Sequence, residues 1–278
     1  MLAKSPGTLT AGFHEAINRA FSKQSAHYDE TDNANAILTD LRKQVYRHVA
    51  GFMRPFSQIL ELNAGTGIDA LYFARRGHAV LATDLSDGMI AQIERKIAAN
   101  DLGQRLTCRQ LSYEELHLLA GKKFDYVFSN FGGLNCIDDL SRVSRHLPPL
   151  LNPGAYLTWV VMPPVCPWEL AGVLKGHGAK AFRRLQRSGA VSHLEGEYFK
   201  TYYHSLPAIR SALGRSFGLL KSEGLAALSP PPHRGSFPQV NRRLYSFLRW
   251  LDNRVGHTFP FNRYADHIVV TFRYGGGR

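Results

Sequence analysis

Ile59-Leu60-Glu61-Leu62-Asn63-Ala64-Gly65-Thr66-Gly67 is the stretch on which the fold turns. Gln58 to Leu62 is a short apolar strand candidate, a turn with two glycines follows, and Ile68 to Arg76 returns to helical spacing. Gly65 and Gly67 carry no Cβ, so the chain can turn tightly and a ligand can reach the backbone, with the amides of the next helix pointing at it. Asp84 ends the next strand candidate, Ala79 to Thr83, where a carboxylate can accept both hydroxyl hydrogens of a ribose. Turn and acid together imply a nucleoside-containing cofactor. Gly65-x-Gly67-x-x-Ala70 also satisfies the loose dinucleotide pattern, so the glycines alone do not choose it.

The same alternation extends in both directions. Downstream, Met89 to Asn100 is expected as a helix and Leu106 to Arg109 and Phe124 to Ser129 as strands. Leu140 to Leu151 follows as a helix, Asn152-Pro153-Gly154 as a turn and Tyr156 to Met162 as a fifth strand. Upstream, Ala11 to Gln24 and Asn35 to Phe52 are expected as helices, since Ile37, Leu38, Leu41, Val45 and Val49 recur at three and four residues. Ala26-His27-Tyr28-Asp29 is read as a polar connection between them. Alternating strands and helices with short connections specify a parallel sheet covered on both faces, so the first 163 residues are α/β. Beyond Pro163, Pro164 and Pro167 the pattern breaks into a basic helical segment, Leu170 to Gln186, read as an inserted cap. Glu197 to Tyr203 is strand-like, Leu206 to Ser216 helical, Leu219 to Leu225 a sixth strand, Val240 to Leu251 a helix and His267 to Arg273 a last strand. The expected organisation is a helical extension or lid over residues 1–52 and one domain over 53–278, with the cap at about 163–200.

Composition narrows the class. In 278 residues, 44% hydrophobic and 20% charged describe an ordinary globular chain, neither disordered nor collagen-like. Cys108, Cys136 and Cys166 lack the close pairs of a zinc site or disulfide framework, so no metal is expected and the default setting is reducing and cytoplasmic. The stretch Met1 to Phe13 has no apolar core of signal-peptide length, and Ala155 to Val165 is far short of a membrane span. The formal charge of +12 favours anionic partners, with basic clusters at Lys175, Lys180, Arg183, Arg184 and Arg187 and at Arg242, Arg243, Arg249 and Arg254. A solvated helix face is the bland reading of both clusters; contact with an anionic membrane surface is the sharper one.

Four ordered segments resemble class I S-adenosylmethionine-dependent methyltransferases, in particular the small-molecule, type 11/25-like branch. They are Glu61-x-Asn63-x-Gly65-x-Gly67, Asp84-Leu85-Ser86 followed by Met89, Phe124-Asp125-Tyr126-Val127-Phe128-Ser129-Asn130, and Leu151-Asn152-Pro153-Gly154-Ala155. The resemblance covers about Phe21 to Met162 and is thin afterwards. It implies a Rossmann-like, doubly wound, mostly parallel seven-stranded sheet, with S-adenosylmethionine as cofactor and S-adenosylhomocysteine as product. It also implies that Glu61 and the backbone of Asn63, Ala64, Gly65, Thr66 and Gly67 receive the methionyl end, that Asp84 holds the ribose and that Leu85 and Met89 flank adenine. Ser129 or Asn130 would contact the amino-acid part, and Tyr28 would close over it. The family usually has Gly where Asn63 stands, and Asn tolerates positive φ next best. Where many members carry an acid for the adenine amino group this chain has Gln110-Leu111-Ser112, so Leu111 or Ser112 would take that contact. An acid at Glu61 suits a cofactor bearing ammonium and sulfonium better than a pyrophosphate, which favours the methyl donor.

Methyl transfer from a sulfonium is an in-line displacement in which the protein mainly aligns the reactants and excludes water, so a dedicated catalytic residue is not required. For an acceptor that must lose a proton, His27, His193 and His204 are the histidines considered as bases; Asn135, Cys136, Trp168 and Glu169 are candidates to touch substrate. The expected activity is O-methylation of a small organic acceptor. A nucleic-acid or other macromolecular methyltransferase is the alternative, but Asn130 is followed by Phe131-Gly132-Gly133 without the prolines of base-modifying enzymes, which disfavours nucleic acid. An oxidoreductase would need a tyrosine-lysine pair that is missing, and a non-catalytic nucleotide-cofactor-binding protein stays open. Oligomeric state is not legible.

Overall fold

Strand β1 (Gln58–Leu62) is apolar on both sides, and Ile59, Leu60 and Leu62 are fully buried, which places it at the centre of a sheet with both faces covered. The computed structural model describes residues 6–172 and 182–276. β2 (Ala79–Asp84) and β4 (Phe124–Ser129) pair with β1 on either side, both parallel. β3 (Leu106–Gln110), β5 (Leu151–Val161), β8 (Phe217–Leu225) and β9 (His267–Tyr274) complete a seven-stranded sheet in the order β3-β2-β1-β4-β5-β9-β8. Only β9 runs against its neighbours, β5 and β8, so the expected mostly parallel, Rossmann-like sheet is what the chain forms. Strand order reverses between β1 and β4, where ligands gather in open α/β sheets.

Helices cover both faces. α3 (Ala36–Ala50), α4 (Ile68–Ala74) and α5 (Asp87–Asn100) pack Leu41, Val45, Phe73 and Ile93 into one core cluster with Tyr126 and Phe128 of β4. Asn35 and Ser86 cap α3 and α5, accepting from the amides of Ile37 and Leu38 and of Met89. α8 (Leu206–Leu213) covers the other face with Ile209. The shorter helices are α6 (Ser141–Ser144), α7 (Pro167–Ala171) and α9 (Phe237–Val240), and α10 (Arg242–Val255) follows α9.

The structure revises several expectations. The polar connection expected at Ala26 to Asp29 is a turn only as far as His27: α1 (Pro6–Gln24) is followed by a further helix, α2 (Tyr28–Ala34), held to the glycine turn by side chains rather than by any apolar period. The helix expected over Leu140 to Leu151 is only α6 and a tight turn at Pro148–Leu150, because Pro148 and Pro149 cannot continue it. Asn152-Pro153-Gly154 is a bulge inside β5, closed by Asn152 Nδ2 donating to Asp125 Oδ1 at 2.7 Å. Glu197 to Thr201 is indeed a strand, β7, yet it pairs antiparallel with β6 (Ala190–Leu194) in a separate hairpin. Of the basic helical segment Leu170 to Gln186, the residues 173–181, Lys175 and Lys180 among them, lie outside the described residues.

Candidate functional site

The carboxyl ends of β1, β2, β3, β4 and β5 open into one cavity. Its floor is Asn63 to Thr66 after β1, Asp84 and Leu85 after β2, Leu111 and Ser112 after β3, Asn130 to Gly133 after β4 and Met162 after β5. Its roof is His14, Ile17 and Phe21 of α1, Tyr28 of α2, and Phe199 and Thr201 of β7.

The turn is built as its residue types require. Gly65 and Gly67 have φ of +57° and +79°, and a Cβ on Gly65 would meet no atom within 4 Å, which leaves the backbone open to a ligand. Asn63 takes φ +46°, the conformation Asn tolerates. Its side chain accepts from Ser129 Oγ at 2.8 Å and packs where a Cβ on Gly133 would lie, 2.2 Å from its Nδ2. Thus Ser129 braces the turn from beneath and Gly67 caps α4 against Ile93, and neither lines the cavity.

Asp84 accepts from the Gly65 amide and the Ser86 amide, both at 2.8 Å. Burial pushes its carboxyl up to about 6 against those two bonds. Two oxygens offer about four lone-pair sites, so acceptor capacity remains for a diol. Glu61 is buried beneath the turn at 1% exposure, and its Oε2 has no hydrogen-bond partner among the described residues. Burial, and after it the charges of Asp69 and Asp84, raise its carboxyl well above the usual range, with Arg42 opposing. An unpartnered carboxylate oxygen in that setting is costly, and a cationic group in the adjoining cavity would relieve it.

Arg42, Asp69 and Asn130 form the wall between. Arg42 donates to Asp69 at 2.5 Å and to Asp32 at 2.8 Å; Asp69 also accepts from Tyr46 at 2.6 Å and Asn130 at 2.9 Å. Burial opposes the Arg42 charge, but Asp69 and Asp32 outweigh it, so the guanidinium stays ionised, 4.8 Å from the Phe131 ring centroid. Tyr28 stays protonated, its hydroxyl pushed up to about 12 chiefly by burial. α2 is held there because Asp29 accepts from Thr66 Oγ1 and pairs with Lys96 at 2.5 Å, while Lys96 also donates to the Thr66 carbonyl at 2.8 Å.

The cavity thus gathers Tyr28, Asn63, Ala64, Gly65, Thr66, Asp84, Leu85, Met89, Leu111, Ser112 and Asn130, with Glu61 just below. Of the residues expected to touch substrate, Cys136 lines it, as a thiol kept protonated by burial at about 12. Asn135 does not: fully buried, it donates to the Met162 and Tyr202 carbonyls and accepts from the Met162 amide, stapling three loops together. Trp168 donates to the Leu228 carbonyl at 2.9 Å and Glu169 pairs with Arg183 and Arg184, both away from the cavity. The three histidines proposed from sequence also lie elsewhere: His27 pairs with Glu195, the His193 ring lies tilted at 4.6 Å from that of Tyr198 on the hairpin, and His204 bonds the Ile137 carbonyl in the core. The histidine on the wall is His14, at 2.8 Å from Glu114. Asp69 and Arg42 were also unforeseen, although an acid in the first turn of α4 and an arginine on the buried stripe of α3 are signals of a pair.

Residues 59–154 match the family model described as a methyltransferase domain. The chain is 27% identical over 194 residues to a malonyl-[acyl-carrier protein] O-methyltransferase of Enterobacter lignolyticus, covering 66% of this chain and 70% of that protein. It is 28% identical over 155 residues to a demethylmenaquinone methyltransferase of Clavibacter sepedonicus, 55% of this chain and 57% of the relative. In fold it is similar to the Burkholderia thailandensis 1,6-didemethyltoxoflavin-N1-methyltransferase, solved with its substrate and S-adenosylhomocysteine. That match has TM-score 0.58 and 18% identity, over 99% of this chain and 92% of the other.

Proposed function

We propose that the chain, a class I S-adenosylmethionine-dependent methyltransferase of the type 11/25-like kind, methylates a small organic acceptor, at oxygen, inside the cavity roofed by α1 and β7. The observation that carries this reading is the two-ended character of the cavity: carboxylates and a glycine turn free of side-chain cover at one end, and apolar side chains with a few polar groups under the roof. The named relatives, which act on malonyl-acyl-carrier protein and demethylmenaquinone, support an acceptor of organic type.

Bound S-adenosylmethionine supplies a methyl group on a positively charged sulfur. Asp84 holds the ribose hydroxyls, Leu85 and Met89 flank the adenine, and Leu111 or Ser112 meets its amino edge. Glu61, with the backbone of Asn63 to Thr66, receives the methionyl end, Asn130 contacts it, and Tyr28 closes over it. Among the described residues, the lid expected over 1–52 and the cap expected at 163–200 meet over the cavity through Phe21 and Phe199, at a ring separation of 5.8 Å. Closure excludes water and holds the acceptor in line. His14 lines the cavity under the roof at 2.8 Å from Glu114, so of the histidines named it is the one placed to meet the acceptor. Glu114, held ionised by His14 and Arg142 against its burial, orients that ring.

Calorimetric titration with S-adenosylhomocysteine, and with the Asp84→Ala protein beside it, tests the cofactor half. Micromolar binding lost in the variant is expected. Transfer of labelled methyl to a panel of carboxylates, phenols and alcohols, with tRNA and protein as comparators, tests the acceptor half; labelling of only the macromolecules would overturn it.

A further inference from the structure

Helix α10 turns a mixed side to the protein, with Tyr245 in a core cluster, Leu248, Leu251 and Val255 half-buried and polar anchors beside them, yet it leaves large apolar side chains outside. Tyr245 donates to Asp40 at 2.9 Å, Arg249 to the same carboxylate at 2.8 Å, and the buried Asp252 accepts from the Leu228 and Ser229 amides. Leu244, Phe247 and Trp250 point outward, 50%, 54% and 50% exposed. Three-residue spacing sets them on one stripe, and Arg243 and Arg254, four residues from Phe247 and Trp250, share it. Phe247 and Trp250 stack at 6.1 Å, and the Arg254 guanidinium lies 5.1 Å from the Trp250 ring centroid. The segments before and after repeat the chemistry: Val240 is 77% exposed, Phe259 66%, and Arg263 lies 5.6 Å from the Phe259 ring.

A surface helix ordinarily turns its apolar stripe to the core, and an outward aromatic stripe marks an interaction surface. Charge selects what covers it. α10 carries four arginines against one acid, Asp252, which faces inward, in a chain of net charge +12. A second copy would set arginine against arginine. Leu, Phe and Trp on one exposed face, interleaved with arginines, have the composition of helices that lie in the headgroup region of a bilayer. We propose that α10 docks this methyltransferase on an anionic lipid surface, with Leu244, Phe247 and Trp250 entering the interface and Arg243 and Arg254 meeting lipid phosphates. Contact is peripheral, since no helix among the described residues is long and apolar enough to cross a membrane.

The test is sedimentation of the full chain with vesicles of phosphatidylcholine, with and without phosphatidylglycerol, while tryptophan emission is recorded. Trp159 is fully buried and Trp168 is hydrogen-bonded inside the fold, so a blue shift on binding reports Trp250 and disappears in Trp250→Phe. Binding to the phosphatidylglycerol vesicles alone, weakened by salt, is expected. Phe247→Ser with Trp250→Ser should weaken it about tenfold, and neutralising Arg243 or Arg254 about fivefold each. A chain that stays in the supernatant, as one docking on an acidic protein would, overturns the proposal. So does undiminished binding by the variants, or binding without the Trp250 shift. S-adenosylhomocysteine titration of every variant shows that the fold persists and keeps this outcome separate from the acceptor reading.

Discussion

Asp84 sets the pH response of the site. With its carboxyl raised to about 6 by burial, it is mostly ionised at neutral pH and protonated in mild acid. Only the ionised form accepts from both ribose hydroxyls while keeping its bonds to Gly65 and Ser86. S-adenosylhomocysteine affinity is therefore expected to fall as pH drops below about 6, approaching tenfold per unit, and Asp84→Asn should bind weakly with a flat profile. The linkage to folding has the opposite sign: a raised folded-state value stabilises the ligand-free protein fully below the unfolded value of 3.8 and is lost as pH rises through about 6. Asn63 and Gly133 make a second residue-scale test. Gly133→Ala places its methyl on the Asn63 side chain and should cost about 1–3 kcal/mol together with cofactor affinity. Adding Asn63→Gly removes the clash and suits φ +46°, so the double variant should recover both, as thermal unfolding and titration would show. Gly65, Gly67 and Asp84 were legible because turn geometry and strand-end position are local. Arg42, Asp69 and His14 were not, because each owes its place to a partner on another element.

Gly88 governs how α1 sits. A Cβ there would fall 2.7 Å from the Ser22 Cα, and the close approach lets Ser22 Oγ reach Ser86 Oγ at 2.7 Å and accept from the Gly88 amide at 3.1 Å. Gly88→Val is expected to lift α1 from α5 and open the cavity, seen as faster amide exchange in α1 with the central strands still protected. Failure of α1 to loosen would mean that its pairs with the hairpin, Arg19 and Lys23 on Glu197, suffice to hold it. Elements whose periods are strong, such as β1, β4 and α5, were readable to within a residue or two. The hairpin partner β6 was missed although its turn is marked by Glu195 and Gly196, both at positive φ, the two-residue connection that fixes register. α2 has seven residues and no apolar period; its helix depends on the Asp29, Thr66 and Lys96 contacts, which no local pattern announces.

Across the whole molecule, a buried polar chain ties α3 to four strands. His48 bonds Glu223 of β8 at 3.0 Å and Thr271 of β9 at 2.8 Å; Thr271 bonds Thr158 of β5, and Thr158 bonds Tyr126 of β4. Strand order fixed by hydrophobic pattern cannot reveal such a chain, since its members are single polar residues on apolar faces. Its consequence is acid sensitivity. Burial lowers His48, with Glu223 opposing, so its contribution to stability is present above 6.5 and declines as pH falls toward its folded value. Glu223 is lowered to about 2, since His48 and Lys221 outweigh its burial, so its contribution is present above 4.5 and is lost as pH falls through about 2. Thermal unfolding followed from neutral pH downward should show both losses in succession. In Glu223→Gln the neutral-pH stability should drop by about 1.5–3 kcal/mol, the scale of a hydrogen bond to a charged group. The later of the two acid losses should shrink in the same variant. An unchanged acid limb would place the sensitivity in Asp266, which His267 and Arg184 hold low against its burial at the other end of β9.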